Sequence, residues 1–256
     1  MKRNTDYKNE ALAALKGNWG KAVLAAVVVA AVTYLALGPY IYNTVKLQNY
    51  IRENSPQVYS STNIGSAMRQ AMEASLSMAS DPEYLDIQSK ASGSMGLYYL
   101  LLAFVIFPLS VGFFNAFRLL LVQGDIELLG NTYRIATKNY WHKVWGMVLM
   151  AIFIFLWSLL LIIPGIVKCF SYSMTPFILE ENPDLSANEA IDRSRAIMKG
   201  HKFDLFWLLL SFIGWAILCM FTLGIGWLWL APYMQTSVAA FYEDVKADYE
   251  VNGGLI

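Results

Sequence analysis

Residues 182–242 read NPDLSANEAIDRSRAIMKGHKFDLFWLLLSFIGWAILCMFTLGIGWLWLAPYMQTSVAAFY, and this stretch decides the fold. Ser186-x-x-Glu189 is a capping box, in which side-chain oxygens satisfy the orphan donors of a helix start. Lys199-Gly200 supplies a basic last turn and a glycine stop. Between them Ala187, Ala190, Ile191, Ser194 and Ile197 form a weak apolar face on a polar helix. Two apolar runs follow, Phe203–Thr222 and Trp227–Tyr242, joined by Leu223-Gly224-Ile225-Gly226. The pattern predicts an amphipathic helix and then a membrane hairpin.

The same order recurs upstream. GDIELLGNTYRIATKNYWHK, residues 124–143, carries a stripe of Leu129, Tyr133, Ala136 and Tyr140. Val144–Leu179 is then apolar for longer than the roughly 20 residues that one crossing needs. Pro164-Gly165 is turn punctuation and predicts the bend, with Ile166–Leu179 returning, tilted, kinked at Pro176 or partly buried. At the N-terminus Tyr7, Ala11, Leu15 and Trp19 recur every four residues along a short helix over 4–18. Ala22–Tyr42 follows, long enough to match a hydrocarbon core of about 30 Å. Met95–Leu121 is the second span, and Pro108 within it predicts a kink whose freed carbonyl a neighbour must satisfy. No cleavage site follows the first apolar segment, so it is expected to be retained.

The expected fold is therefore all-α: a polytopic membrane protein with six transmembrane helices in three hairpins and amphipathic interfacial helices. Residues 1–256 form a single membrane domain in this reading. Residues 43–94 are a polar extracytoplasmic insertion, punctuated by Pro56 and Asp81-Pro82, with a helical face of Met68, Met72, Leu76 and Ala79. Either the first two membrane helices extend beyond the bilayer or the stretch forms a small external cap, and a mixture of the two is expected. The tail after Tyr242, EDVKADYEVNGGLI, is polar and expected to fray.

Composition agrees. The chain is 57% hydrophobic and 15% charged, against about 45–50% and about 25% for soluble domains. A net formal charge of +0 gives no reason to expect nucleic acid. Fourteen of the 19 basic residues fall on the side of the termini in a six-span topology, so the positive-inside rule puts both termini in the cytoplasm. The third hairpin registers on the second at an offset of 60, and LKGNWGKAV resembles KNYWHKVWG and MKGHKFDLF in kind. Three interfacial-helix-plus-hairpin units would follow.

The segment YSMTPFILEENPDLSANEAIDRSRAIMKGHKFDLF and the hairpin after it resemble a bacterial integral membrane family, domain of unknown function 975. The resemblance is close over about 141–244 and extends to LKGNW. It implies a protein of the bacterial cytoplasmic (inner) membrane, and it implies no activity, cofactor or catalytic residue.

Enzyme motifs are not found: there is no GxSxG, HExxH or phosphate-binding loop, and no cofactor is expected. His142 and His201 sit beside lysines where membrane helices begin and read as interfacial residues rather than metal ligands. Cys169 and Cys219 read as small buried residues, with a disulfide between hairpins as the alternative. Lys168 is the one unambiguous charge inside a span. Three residues from Gly165, it either snorkels to the outer interface or binds an anionic ligand or headgroup. Polar groups gather on the even-numbered spans, so a candidate polar cavity is drawn there from Asn115, Arg118, Lys168, Ser171, Thr175, Gln235 and Thr236. The alternative use of these groups is hydrogen bonding between helices. The lipid bilayer is the expected partner, with a small polar molecule or lipid headgroup bound or transported. A non-catalytic scaffold acting through the cytoplasmic helices is the alternative, and an oligomeric partner is left open.

Overall fold

A computed structural model describes residues 2–54, 64–124 and 127–251. Among these the regular elements are helical. In chain order they are α1 (Asn4–Leu15), α2 (Trp19–Asn54), α3 (Ile64–Ala79), α4 (Pro82–Leu101) and, after a π turn at Leu102–Ile106, α5 (Phe107–Gln123). Then come α6 (Leu128–Thr137), α7 (Tyr140–Leu160), α8 (Ile162–Tyr172), α9 (Thr175–Glu181) and α10 (Ala187–Ile197). The last hairpin is α11 (Lys202–Leu210) and α12 (Ile213–Phe221) against α13 (Trp227–Val251). Pro56 and the last residues of the tail lie outside the described residues.

Among the described residues five helices are long and apolar enough to cross a membrane: Trp19–Asn54, Pro82–Gln123, Tyr140–Leu160, Ile162–Glu181 and Lys202–Phe221. The sixth expected span, within α13, does not join them. Its apolar run is short, and the helix continues through Glu243, Asp244 and Lys246 to Val251, where a frayed tail was expected.

The chain divides into two compact units, Met1–Ala31 with Ala103–Ile256, and Val32–Leu102. In the smaller unit α2 continues past the apolar stretch to Asn54, and α4 begins far ahead of Met95, at Pro82. Asp81 caps α4 by accepting a hydrogen bond from the Glu83 N–H at 2.8 Å, and it also accepts from the Tyr50 hydroxyl. Tyr40 stacks on Tyr98 at 5.9 Å. Met68, Met72 and Leu76 of α3 are exposed.

The larger unit holds the core. Tyr7, Val111, Met147, Phe177, Ala190, Ile197, Leu205, Cys219 and Phe241 belong to one buried cluster drawn from eight helices. Small residues set the close approaches. A Cβ on Gly112 would strike the Thr132 carbonyl of α6, and one on Gly146 would meet the Leu179 side chain at 2.6 Å. Each amphipathic helix hands over to an apolar one through a left-handed residue: Gly17 (φ 84°) after α1, Asn139 (φ 49°) after α6 and Gly200 (φ 92°) after α10. A lysine precedes each of these residues. The three junctions are thus alike in backbone as well as in sequence.

One of the two hairpin turns differs from expectation. The bend between α7 and α8 is the single extended residue Leu161, not Pro164-Gly165. Pro164 sits in the first turn of α8, where its missing N–H costs no intrahelical bond. Gly165 is needed for packing, since a Cβ there would strike Ser158 of α7. In the last hairpin the turn lies where expected, with Leu223 (φ 51°) and Gly224 (φ 86°) in left-handed backbone.

Candidate functional site

Three polar clusters in the larger unit are built from the ends of its helices. In the first, Arg118 of α5 lies between two carboxylates. Its Nε meets Glu243 of α13 at 2.5 Å, and its guanidinium also pairs with Glu181 of α9. Glu181 in turn accepts from the Tyr242 hydroxyl and from Lys246 Nζ at 2.7 Å. Tyr242 stacks on Phe177 at 4.7 Å. Arg118 and Glu181 are only 14% and 13% exposed, so these are strong, charge-assisted bonds in a poorly hydrated place.

The second cluster centres on Lys143, whose side chain is wholly buried. Its Nζ pairs with Glu180 at 2.6 Å and donates to the carbonyls of Ile135 and, at 2.6 Å, Lys138. A cation on the last carbonyls of α6 satisfies groups that the helix leaves bare. Separately, the Tyr7 hydroxyl of α1 and the Lys2 N–H donate to Asp244 Oδ2 at 2.7 and 3.0 Å. Burial and the Asp244 carboxylate push the Tyr7 hydroxyl well above the ordinary tyrosine range. Burial alone would raise Asp244, but the two hydrogen bonds outweigh it and hold the carboxyl below its usual value.

The third is a basic cleft where α10 packs on the α7–α8 hairpin. Lys168 Nζ stands 4.4 Å from the Trp157 ring and 5.9 Å from that of Tyr172, within cation–π reach. It lines one cavity of about 310 Å³ with Asp192 and Arg195, and a second of about 530 Å³ with Ser171, Asp192, Arg195, Lys199 and Lys202. The side chain therefore turns to aromatic rings and to α10, where a snorkel towards the bend was one of the two expectations. Ser194 of α10 fixes the packing by donating to the Ser171 carbonyl at 2.9 Å.

The seven expected site residues do not all meet. Lys168 and Ser171 share the basic cleft, and Arg118 belongs to the ion cluster. Asn115 is buried and donates to the Val111 carbonyl at 3.0 Å and, across to α9, to Pro176 at 2.9 Å. Thr175 and Thr236 are buried, and Thr236 donates to Pro232 of its own helix at 2.8 Å. Gln235 is half-buried on α13. Asn115 Oδ1 and Thr175 Oγ1 are buried without a hydrogen-bond partner among the described residues. The sequence reading missed Lys143, Glu180, Glu181, Glu243, Lys246 and the pair Tyr7–Asp244. Their common signal is a charge set just outside an apolar run.

Cys169 and Cys219 are both free. Among the described residues no group of three or more His, Cys, Asp and Glu side chains is placed to hold a metal ion. No curated protein and no solved structure matches the chain. The family described as "Protein of unknown function (DUF975)" matches residues 1–249, and the chain belongs to that family.

Proposed function

We propose that this chain is a non-catalytic multi-pass protein of the bacterial cytoplasmic membrane that binds a phosphate-bearing lipid headgroup. Six apolar segments enter the bilayer as three hairpins, with both termini and α10 on the cytoplasmic face. The observation that carries the binding reading is the basic cleft. Lys168, Arg195, Lys199 and Lys202 line it against a single carboxylate, Asp192, beside exposed apolar helix. Cations gathered at a membrane surface attract anionic lipid, at about 1 kcal/mol for each basic residue.

A second reading, passage of a small polar molecule between the even-numbered helices, is favoured by the unpartnered Asn115 Oδ1 and Thr175 Oγ1. Native mass spectrometry of protein purified in mild detergent separates the two. Headgroup binding predicts retained anionic phospholipid that is lost in a Lys168→Met, Arg195→Gln, Lys199→Gln variant and not displaced by inorganic phosphate. Equal retention by the variant contradicts it.

A further inference from the structure

We infer that the α7–α8 hairpin ends inside the bilayer, its tip bathed by the acyl chains of the leaflet it enters, without reaching the opposite face. The inference rests on the cytoplasmic placement of α10 proposed above. Its geometric basis is how little hairpin rises beyond the charged cleft. From Lys168 back to Ile162 is six residues of α8, about 9 Å at the helical rise, and from Phe153, which lines the same cleft, to Leu160 is about 11 Å. The Ser194–Ser171 bond ties α10 to a point about 14 Å from the tip. A hydrocarbon core is about 30 Å thick.

A tip at the far headgroups would therefore hold α10 near the middle of the membrane. Asp192 and Arg195, whose side chains are 66% and 50% exposed, would face lipid there. Charges at the bilayer centre are costly unless they are paired or reach water. With α10 at the headgroups instead, the tip falls in hydrocarbon, and its chemistry suits that place. Leu159, Leu160, Leu161, Ile162 and Ile163 are all exposed, and no polar side chain interrupts them.

The turn is also economical in bare backbone, which hydrocarbon cannot solvate. One residue joins the helices, Leu161 N–H is bonded to Trp157 at 3.2 Å, Gly165 N–H to Leu161 at 3.2 Å, and Pro164 has no N–H to strand. The nearby Ser158 hydroxyl is spent on Ile154 at 2.8 Å.

Single cysteines at Leu160 and Ile163, in a Cys169→Ser, Cys219→Ala background, test this in whole cells and inverted membrane vesicles. Both side chains are largely exposed, so neither substitution opens a packing defect. The inference predicts loss of labelling by a membrane-impermeant maleimide from both sides. It also predicts quenching of a fluorophore attached at these cysteines by phospholipids carrying nitroxide partway down the acyl chain. Labelling from outside the cell overturns it, as does protection from both maleimide and nitroxide, which would mean that protein covers the tip. Asp192→Cys is the orientation control. Its labelling only in inverted vesicles upholds the cytoplasmic placement, and its labelling only from outside refutes that placement while the tip cysteines still report depth.

Discussion

The Tyr140 hydroxyl donates a hydrogen bond to the carbonyl of Phe104, the group four residues before Pro108. Proline has no N–H to offer that carbonyl, and the helix relaxes into a π turn just ahead of it. Tyr140 opens α7, so the defect in one apolar helix is satisfied from the start of the next. Tyr140→Phe strands the acceptor and should lower unfolding stability in detergent by about 1–2 kcal/mol, with a detectable change in accessibility near Phe104. No loss of melting temperature would show that water serves the carbonyl equally well.

Arg118 holds Glu181 and Glu243 together from three separate helices. Arg118→Met should destabilise the fold by about 3 kcal/mol, the low end for breaking a buried pair, because Glu181 keeps Lys246 and Tyr242. The double variant Arg118→Met, Glu243→Gln should recover part of the loss. A double-mutant cycle on thermal melts measures the coupling.

Docking of α1 depends on pH through Asp244. Its folded-state pKa lies below the unfolded value, so its contribution is present above the unfolded pKa and is lost as pH falls through the folded one. Hydrogen exchange of α1 amides should therefore accelerate below about pH 4. Asp244→Asn should remove that step, and Tyr7→Phe should shrink it. Unchanged protection of α1 in acid would refute the assignment.

At the three left-handed junctions the residue type decides the cost. Asn139→Gly should be neutral or slightly stabilising, whereas Asn139→Val and Gly200→Val should each cost about 1–2 kcal/mol or more. Melting temperatures of the three variants check the order.

Much of this architecture was legible in the sequence where a signal is local. Ser186 and Glu189 close the capping box that their spacing announces, at 2.7 and 3.3 Å. The glycine turn at Gly224 and the need for a carbonyl partner near Pro108 were equally local. Pro164-Gly165 misled because a proline followed by a small residue suits both a turn and a first helical turn, and only the packing of Gly165 on Ser158 separates them. The ion clusters were illegible for another reason. Arg118 meets partners more than sixty residues away, and Lys143 finds its buried place only once α6 folds back on α7. The candidate cavity was drawn from polar residues on alternate helices, but these do not share one space: Lys168 lines a cleft bordered by the buried Ser171, while Asn115, Thr175 and Thr236 are buried and do not line it.

We propose above that the chain is embedded in the cytoplasmic membrane with both ends indoors. Protease-cleavable tags at the N- and C-terminus, compared in spheroplasts and in inverted vesicles after alkaline washing of the membranes, measure it most directly. The account predicts a chain that stays with the membrane and two tags cut only in inverted vesicles. Tags cut on opposite sides, or release of the chain by the wash, would contradict it.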